Sequence, residues 1–217
     1  MIIGIDEAGR GCIIGPMVIC AAAINPLEEY KLKEMGVKDS KKLSPRQREG
    51  LYGKVGKLTK YTTVKVTAGE LNVLMDKHNL NEIEAIKIAQ AIDTLGIRDA
   101  TVYVDSPDNV PAKFARRIEK YVKTRVKIIS ANKADDKYVI VGAASIIAKV
   151  TRDREIEKIK KETGIEFNSG YTSDPVTQKY VAERKDYPAL QKYLRTKWST
   201  LRVEKQRKLA EFSEEVV

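Results

Sequence analysis

The 217-residue sequence has very few residues of the types used for covalent catalysis or zinc binding. It contains one histidine, His78, and two cysteines, Cys12 and Cys20, which form neither a CxxC pair nor a zinc-ligand spacing. This shortage excludes a disulfide-stabilised scaffold and favours a reducing, cytoplasmic environment. We interpret Cys20 as a small core residue and His78, between two predicted helices, as a surface residue.

Long apolar runs are also missing. The longest, residues 13–24, is interrupted by Gly15 and Pro16 and is too short to span a bilayer. Asp6 and Glu7 lie upstream of it, where a signal peptide would carry basic residues. The sequence therefore predicts no membrane segment, and we find no internal repeat or low-complexity linker.

Positive charge, in contrast, is in excess. Forty Lys and Arg residues against thirty Asp and Glu residues give a net charge of +10, and 32% of all residues are charged. The excess suits a polyanionic partner such as nucleic acid. A highly charged surface of the kind found in thermophiles gives the same composition. Composition alone leaves both interpretations open.

The first eleven residues have the most distinctive pattern. An apolar β-branched run, Met1 to Ile5, predicts a buried strand, and Asp6, Glu7 and the turn Gly9-Arg10-Gly11 follow it. Adjacent carboxylates at the end of a buried strand need a partner, and a hard divalent cation is one. Glycines let backbone N–H groups approach a ligand closely. The alternatives are a metal site beside a substrate groove, or an exposed strand end with a turn.

The rest of the chain predicts strands alternating with helices. The predicted strands are Pro16–Ile24, Lys60–Val66, Ala100–Val104 and Arg125–Ser130. The predicted helices are Pro26 to near Gly36, Pro45 to about Val55 after the N-cap Ser44, Thr67–Met75, Asn81 to Gly96, Pro111–Val122 and Tyr138–Glu162. We expect Asn81 and Glu84 to form a capping box at the start of their helix, and the small residues 142–145 to let the last helix lie close to the sheet. The first two strands are expected to be antiparallel and the later ones parallel. Only helical patterns follow Val176.

Three acidic positions follow predicted strands. Asp6 follows the first strand, Asp105 the fourth, and Asp135 comes just after the fifth. If these strands are parallel neighbours, the acids meet at one edge of the sheet, where α/β proteins bind ligands. Together with Glu7 they could hold two divalent ions for a phosphodiester displacement. Each acid taken alone is better explained as a solvated loop residue.

Several motifs together resemble the type 2 ribonucleases H, and in particular archaeal ribonuclease HII. They are GIDEAGRG at residues 4–11, KDSKKLS at 38–44, YVDS at 103–106, KAD at 133–135, AASIIAKV at 143–150 and SGYTSDP at 169–175. Their order and spacing match the family over nearly the whole chain. The resemblance implies a ribonuclease H-like α/β fold with a five-stranded mixed sheet flanked by helices and a helical C-terminal extension. We expect a catalytic domain at residues 1–172 and a helical region at 173–217.

The resemblance also implies an activity and its residues. The enzyme is expected to cleave the RNA strand of RNA–DNA hybrids and to nick 5′ of single ribonucleotides in duplex DNA, using two Mg²⁺ or Mn²⁺ ions. The catalytic metal ligands would be Asp6, Glu7, Asp105 and Asp135. Gly9, Arg10 and Gly11 would recognise the ribose 2′-OH, Lys41 a phosphate, and Tyr171 the deoxyribose that follows. We expect a monomer, and a sliding-clamp partner is left open.

Three positions depart from the family pattern. Cys12 replaces a common proline, which should change only the stiffness of the turn. Asn132 replaces a histidine, so a proton shuttle assigned to that histidine is in doubt here. Asp136 adds an acid beside Asp135, and we keep Asp135 because it aligns with the motif.

Two other functions compete with this interpretation. A junction resolvase or integrase-like nuclease would share the acids, lack the 2′-OH recognition and cut all-DNA substrates. A non-catalytic nucleic-acid-binding protein would use the basic surface alone, and four carboxylates argue against it because they repel phosphate. Cleavage assays on a hybrid and on matched DNA, with and without magnesium, separate the three.

Overall fold

A computed structural model describes residues 1–37, 43–198 and 201, except for the side chain of Lys185. The strands are β1 (Ile2–Ala8), β2 (Met17–Ile24), β3 (Lys60–Val66), β4 (Ala100–Asp105) and β5 (Val126–Ala131). The helices are α1 (Glu29–Glu34), α2 (Pro45–Leu58), α3 (Ala68–Leu74), α4 (Leu80–Leu95), α5 (Pro111–Glu119), α6 (Ala134–Lys137), α7 (Val139–Thr163) and α8 (Pro175–Ala182). Among the described residues, 3₁₀ segments cover Pro26–Glu28, Arg184–Asp186 and Pro188–Tyr193.

The five strands form one mixed sheet in the order β3-β2-β1-β4-β5. β1 and β3 are both antiparallel to β2, whereas β1, β4 and β5 are parallel to one another. The predicted fold class is therefore confirmed, as is the parallel neighbourhood of the three strands that precede the acids. Because β1, β4 and β5 run in the same direction, their last residues lie at the same edge of the sheet.

Helices cover both faces of the sheet. One apolar core contains Ile3, Ile5 and Val102 of the strands together with residues of α4 and α5. The core on the other face is formed with residues of α2 and α7, and includes Ala22 and Ile140. Alternation along the strands sends successive side chains to opposite faces, so both faces are buried.

The long helix α7 packs against the centre of the sheet because Gly4 has no side chain. A Cβ atom at Gly4 would lie 2.2 Å from the carbonyl oxygen of Ile140. The small-residue segment of α7 was predicted to allow this approach, and Ala143 and Ala144 are buried in the same core as Ala22 of the sheet. Gly142 makes room for the loop at Val37, whose carbonyl oxygen would lie 2.9 Å from a Cβ there. The glycine that brings sheet and helix together is thus on the strand.

Helix α4 begins two residues earlier than predicted. Its N-cap is Asn79, whose side chain accepts a hydrogen bond from the backbone N–H of Glu82. The predicted cap, Asn81 with Glu84, is wrong, since both residues lie within the helix and are used elsewhere. The predicted start of α2 is confirmed, with Ser44 as N-cap, Pro45 in the first turn and a capping box closed by Gln47.

The C-terminal part packs on the body of the molecule through a third apolar cluster. Ile13 and Ile14 after β1 meet Ile156 of α7 and Leu190 and Leu194 of the C-terminal segment. Within the described residues this segment has one short α-helix and 3₁₀ turns, whereas the pattern predicted helices with a break at Pro188. The boundary at residue 172 stays a prediction. None of the described helices is long and apolar enough to cross a membrane.

Candidate active site

The predicted acids meet at the carboxyl edge of the three parallel strands. Asp6 and Glu7 are part of β1 itself rather than residues after it. Ile5 pairs with Val104 in the parallel ladder, so Asp6 lies beside Asp105, the last residue of β4.

Asp135 reaches the same edge on a one-turn helix that the sequence did not predict. The backbone N–H of Ala134, at the start of α6, donates a hydrogen bond to Asp105 Oδ1 at 2.7 Å. This contact places the neighbouring residue, Asp135, at the edge, where it is 4% exposed. Asp136 is exposed, so burial favours Asp135 as the acid of the cluster.

The acids of β1 are held in an environment that opposes their ionisation. Burial raises the pKa of Asp6 well above its usual range, and repulsion by Glu7 raises it further, although a hydrogen bond with Ser145 and the charge of Lys149 act in the opposite direction. Removal from water, followed by repulsion from Glu84 and Asp105, raises the pKa of Glu7 to about 8. The carboxylates therefore need compensating positive charge to ionise together at neutral pH.

A fifth acid, Glu84 of α4, belongs to this group and was missed as a site residue. Its side chain is 1% exposed, and Oε2 accepts a hydrogen bond from Arg10 Nε at 2.7 Å. Its other oxygen, Oε1, is buried without a hydrogen-bond partner among the described residues. Burial raises the pKa of Glu84 to about 7. We call Asp6, Glu7, Glu84, Asp105 and Asp135 the acid cluster.

Arg10 connects the acid cluster to a polar network on α4. Arg10 Nη2 donates to Asn81 Oδ1 at 2.5 Å, and the Asn81 amide donates to Asp108. Asn132, at the position where the resemblance led us to expect histidine, donates its amide to the backbone oxygen of Asp108 at 3.0 Å. An amide side chain has no titratable proton, so here Asn132 braces the loop after β4 instead of moving a proton.

The acid cluster is not a ready-made coordination site. Among residues 1–37, 43–198 and 201, no three acidic, histidine or cysteine side chains are arranged so that they could hold a metal ion as they stand. What the cluster provides is a set of hard oxygen donors that are buried or partly buried and repel one another, with one oxygen, Glu84 Oε1, that has no hydrogen-bond partner among the described residues. These features fit divalent cations of the Mg²⁺ type.

The glycine turn, Gly9-Arg10-Gly11, follows the acids with one residue between. Gly9 has φ +79°, and a Cβ atom there would lie 2.7 Å from the carbonyl oxygen of Pro16. Both the left-handed backbone and the close contact require glycine at this position. Gly11 has open space around it, so the structure gives no comparable steric reason for glycine there.

Arg195, in the C-terminal segment, stabilises the glycine turn through hydrogen bonds to its carbonyl oxygens. Its side chain is fully buried and donates Nη2 to the Gly9 oxygen at 2.7 Å, Nη1 to the Arg10 oxygen at 2.9 Å and Nε to the Gly15 oxygen at 3.0 Å. Burial lowers the pKa of its guanidinium to about 10. Since Arg195 satisfies these carbonyl oxygens, the conformation of the turn is fixed.

The Tyr171 loop is attached to the same turn. Cys12 and Tyr171 form an isolated antiparallel bridge, and the Ile13 N–H donates to the Gly170 oxygen at 2.8 Å. Tyr171 is 36% exposed, so it is not fully buried in the core, and its hydroxyl contacts Cys12 and the backbone of Gly9.

A second buried arginine, Arg152 of α7, joins the turn and the loop. Its Nη2 donates to Cys12 Sγ at 2.9 Å and to the Ser169 oxygen, and its guanidinium lies 4.8 Å from the centroid of the Tyr171 ring. Cys12 therefore does more than change the stiffness of the turn, because its sulfur is a hydrogen-bond acceptor. We call residues 9–15, residues 168–174, Arg152 and Arg195 the recognition unit.

Periodicity could have revealed two of the missed residues. Arg152 precedes the buried Ile156 and Ile159 by four and seven positions, and Glu84 precedes Ile88 by four, so each shares a face with core residues. Arg195 has no such signal, since its partners lie about 180 positions earlier in the chain. The predicted phosphate contact, Lys41, lies outside the described residues.

Most of the chain is similar to known proteins of one family. A family model described as Ribonuclease HII matches residues 3–201. The Ribonuclease HII of Pyrococcus horikoshii is 47% identical over 201 residues, which cover 92% of this chain and 90% of that protein.

Solved structures agree with the sequence comparison. The ribonuclease H2 of Pyrococcus horikoshii OT3 superimposes with a TM-score of 0.86 at 45% identity, covering 95% of this chain and 97% of that one. The ribonuclease HII of Archaeoglobus fulgidus, solved in a complex with PCNA, gives a TM-score of 0.82 at 41% identity, with 92% and 95% of the two chains covered.

Proposed function

This chain belongs to the ribonuclease HII family, and from that membership we propose that it nicks duplex DNA on the 5′ side of a single embedded ribonucleotide as well as cutting longer RNA tracts. It is a ribonuclease H, a hydrolase acting on RNA–DNA hybrids. The observation that supports the finer proposal most strongly is the position of the glycine turn. Only Ala8 separates it from Glu7, so recognition of a sugar and chemistry on its phosphate would occur side by side.

Two divalent cations, Mg²⁺ or Mn²⁺, are proposed as cofactors of the acid cluster. Asp6, Glu7, Asp105 and Asp135 would hold them, and because the side chains are not in coordinating positions, binding requires some of them to rotate. When bound, such a pair of ions supplies an activated water and stabilises the charge on the attacking and leaving oxygens. Lys149 and Arg10 provide further positive charge beside Asp6 and Glu7.

The glycine turn is proposed to recognise the ribose 2′-OH. A 2′-OH both donates and accepts hydrogen bonds, and it is the group that distinguishes RNA from DNA at a given nucleotide. With the Gly9 and Arg10 carbonyl oxygens bonded to Arg195, the shape of the turn does not depend on the substrate. Because the turn is already ordered, binding of the sugar carries no entropic cost of ordering it.

Tyr171 is proposed to pack on the deoxyribose that follows the ribonucleotide, and Lys41 to contact a phosphate. For Tyr171, support comes from its partly exposed ring and its bridge to Cys12, which hold it next to the turn. Contacts to phosphate position a nucleic acid without reading its sequence, and the excess of basic residues suits that role.

The test uses four 5′-labelled substrates. They are a duplex with one ribonucleotide, the same duplex with deoxyribose at that position, the same duplex with 2′-O-methylribose, and a uniform RNA–DNA hybrid, each with Mg²⁺, Mn²⁺ or chelator. We expect a single 5′ nick in the first and several cuts in the hybrid, both dependent on metal. Comparable cleavage of the all-DNA control would instead support the resolvase-like alternative.

A further inference from the structure

A small basic cavity lies between the acid cluster and the Tyr171 loop. It has a volume of about 240 Å³ and lies between α2, α7 and the end of β1. Its lining residues are Ala8, Arg48, Lys149, Arg152, Asp153 and Tyr171. None of these described lining residues was predicted from the sequence to contact phosphate.

The charges around the cavity favour an anion. Arg48, Lys149 and Arg152 contribute three positive charges against the single carboxylate of Asp153. Asp153 is near both arginines, at 3.9 Å from Arg48 Nη2 and 3.3 Å from Arg152 Nη1, and cannot neutralise both. An excess of positive charge at a concave, partly buried surface attracts anions more strongly than the same charges on an open surface.

Hydrogen-bond donors are also left over. The Nε atoms of Arg48 and Arg152 are both buried and have no hydrogen-bond partner among the described residues. A buried charged donor without an acceptor is costly, and two of them beside one cavity is unusual in a folded protein. An oxyanion with several acceptor oxygens would compensate both guanidinium groups, because arginine binds phosphate through more than one N–H at once.

The surroundings identify the kind of anion. Ala8 directly follows Asp6 and Glu7, and Tyr171 forms the other side of the cavity. Arg152 and Asp153 also line a neighbouring groove of about 570 Å³. The basic residues that continue this groove are Arg154, Lys158, Lys160 and Lys161, interspersed with Glu49 and Glu157. A path of this kind suits a strand that leaves the acid cluster past Tyr171.

We propose that the cavity formed by Arg48, Lys149 and Arg152 binds one backbone phosphate of the strand that carries the ribonucleotide, on the 3′ side of that nucleotide. This inference rests on the proposed function, in which Tyr171 packs on the next deoxyribose. The phosphate there keeps the strand in register while the 5′ phosphate lies at the acid cluster.

The test combines neutral phosphates with two arginine variants. A methylphosphonate replaces, one at a time, each of the four phosphates 3′ of the ribonucleotide and the facing phosphates of the complementary strand. Dissociation constants are measured by fluorescence anisotropy without metal, and kcat/KM with Mg²⁺. Arg48→Met removes one cavity charge, and Arg46→Met is the matched control, since Arg46 is exposed on the same helix outside the cavity.

We expect one 3′ phosphate at which the neutral linkage weakens wild-type binding by about tenfold, as losing hydrogen bonds to a charged group does. In Arg48→Met the same linkage should cause little further loss, and the slope of log Kd against log salt should be shallower by about one. Arg46→Met should retain the full sensitivity of the wild type.

Three results would overturn the proposal. One is that no 3′ phosphate is sensitive in the wild type, which can be observed even if Arg48→Met does not fold. The second is that sensitivity coupled to Arg48 lies on the complementary strand. The third is that Arg48→Met and Arg46→Met behave alike. Failure of the proposed function looks different, because the ribonucleotide duplex would then not be nicked at all.

Discussion

The acid cluster and the recognition unit are neighbours, but they are stabilised in opposite ways. In the acid cluster, carboxylates repel one another, the pKa values of Asp6, Glu7 and Glu84 are raised, and a Glu84 oxygen has no partner among the described residues. In the recognition unit, the carbonyl oxygens of Gly9, Arg10 and Gly15 all accept hydrogen bonds from one buried arginine.

This difference shows which of the two regions is stable without a ligand and which needs added positive charge. The recognition unit is already built, so its residues contribute to stability and to shape at the same time. The acid cluster is destabilising until positive charge compensates it, so its residues contribute to chemistry and detract from stability. Substitutions in the two regions should therefore have opposite effects on the free energy of unfolding, and four predictions test this.

The largest effect is expected on activity in the acid cluster. Asp6→Asn or Asp105→Asn should lower kcat by about three orders of magnitude or more, because on the proposed function each substitution removes a metal ligand worth several kcal/mol. The melting temperature in chelator should not fall, since one repelling charge is removed. Asp136→Asn, which changes an exposed acid next to the cluster, is the control and should retain activity. Normal turnover in a folded Asp6→Asn variant would refute the assignment.

The next largest effect is expected on stability in the recognition unit. Arg195→Met leaves three carbonyl oxygens without a donor and should lower the free energy of unfolding by about 3–5 kcal/mol. Urea unfolding at pH 7 measures it, and Lys192→Met, at an exposed position of the same segment, should change it by less than about 0.5 kcal/mol. Equal losses in the two variants would mean that the hydrogen bonds of Arg195 contribute nothing specific.

A smaller effect should separate the two glycines of the turn. Gly9→Ala should cost about 1–3 kcal/mol, because alanine meets both a positive φ and the Pro16 oxygen, and it should lower kcat/KM on the ribonucleotide duplex. Gly11→Ala has open space and should change stability by less than about 1 kcal/mol. Thermal unfolding measures the change in stability, and cleavage of the ribonucleotide duplex measures the change in kcat/KM. If Gly11→Ala is the more harmful substitution, the turn is not held as described.

The smallest effect is expected in the pH dependence of stability without metal. A carboxyl with a raised folded pKa keeps its proton after the unfolded chain has lost it, so its contribution to stability is lost as pH rises. For Glu7 and Glu84 this loss should extend from about pH 5 to about pH 8. Glu84→Gln should flatten the decline while keeping an acceptor for Arg10.

Glu82, on the same helix, provides a control of opposite sign. Hydrogen bonds from Tyr121 and Arg117 lower its pKa, so it stabilises the fold above its unfolded pKa and loses that contribution as pH falls. Glu82→Gln should therefore reduce stability at neutral pH and leave the decline between pH 5 and pH 8 unchanged. Melting temperatures in chelator across this range test both variants.

The comparison also shows what could be predicted from the sequence. Apolar runs and, for β3, the alternation of β-branched with polar residues predicted all five strands, and alternation of strands with helices predicted parallel pairing in the later part of the sheet. The motifs named Asp6, Glu7, Asp105 and Asp135, and the structure brings their backbones to one edge. These features depend on local pattern and on topology, both of which a sequence carries.

The supporting residues were not predictable in the same way. Glu84 was assigned to a helix cap because Asn81 precedes it by three residues, yet Asn79 caps the helix and Glu84 turns inward to Arg10. Arg195 lies in a charged segment and is indistinguishable there from a solvated arginine, because its burial results from contacts with distant residues. Roles that arise only from tertiary contacts leave little trace in local pattern.

The short connection between chemistry and recognition has one further consequence. Ala8 is buried and pairs with Val18 in the sheet, so the segment from Glu7 to Gly9 cannot lengthen or slip without breaking the β1–β2 pairing. On the proposed function, this strand fixes the distance between the acids that cut and the turn that recognises the sugar. The site of the cut relative to the recognised sugar is then encoded in covalent spacing, and the accuracy of the incision does not depend on motion elsewhere in the molecule.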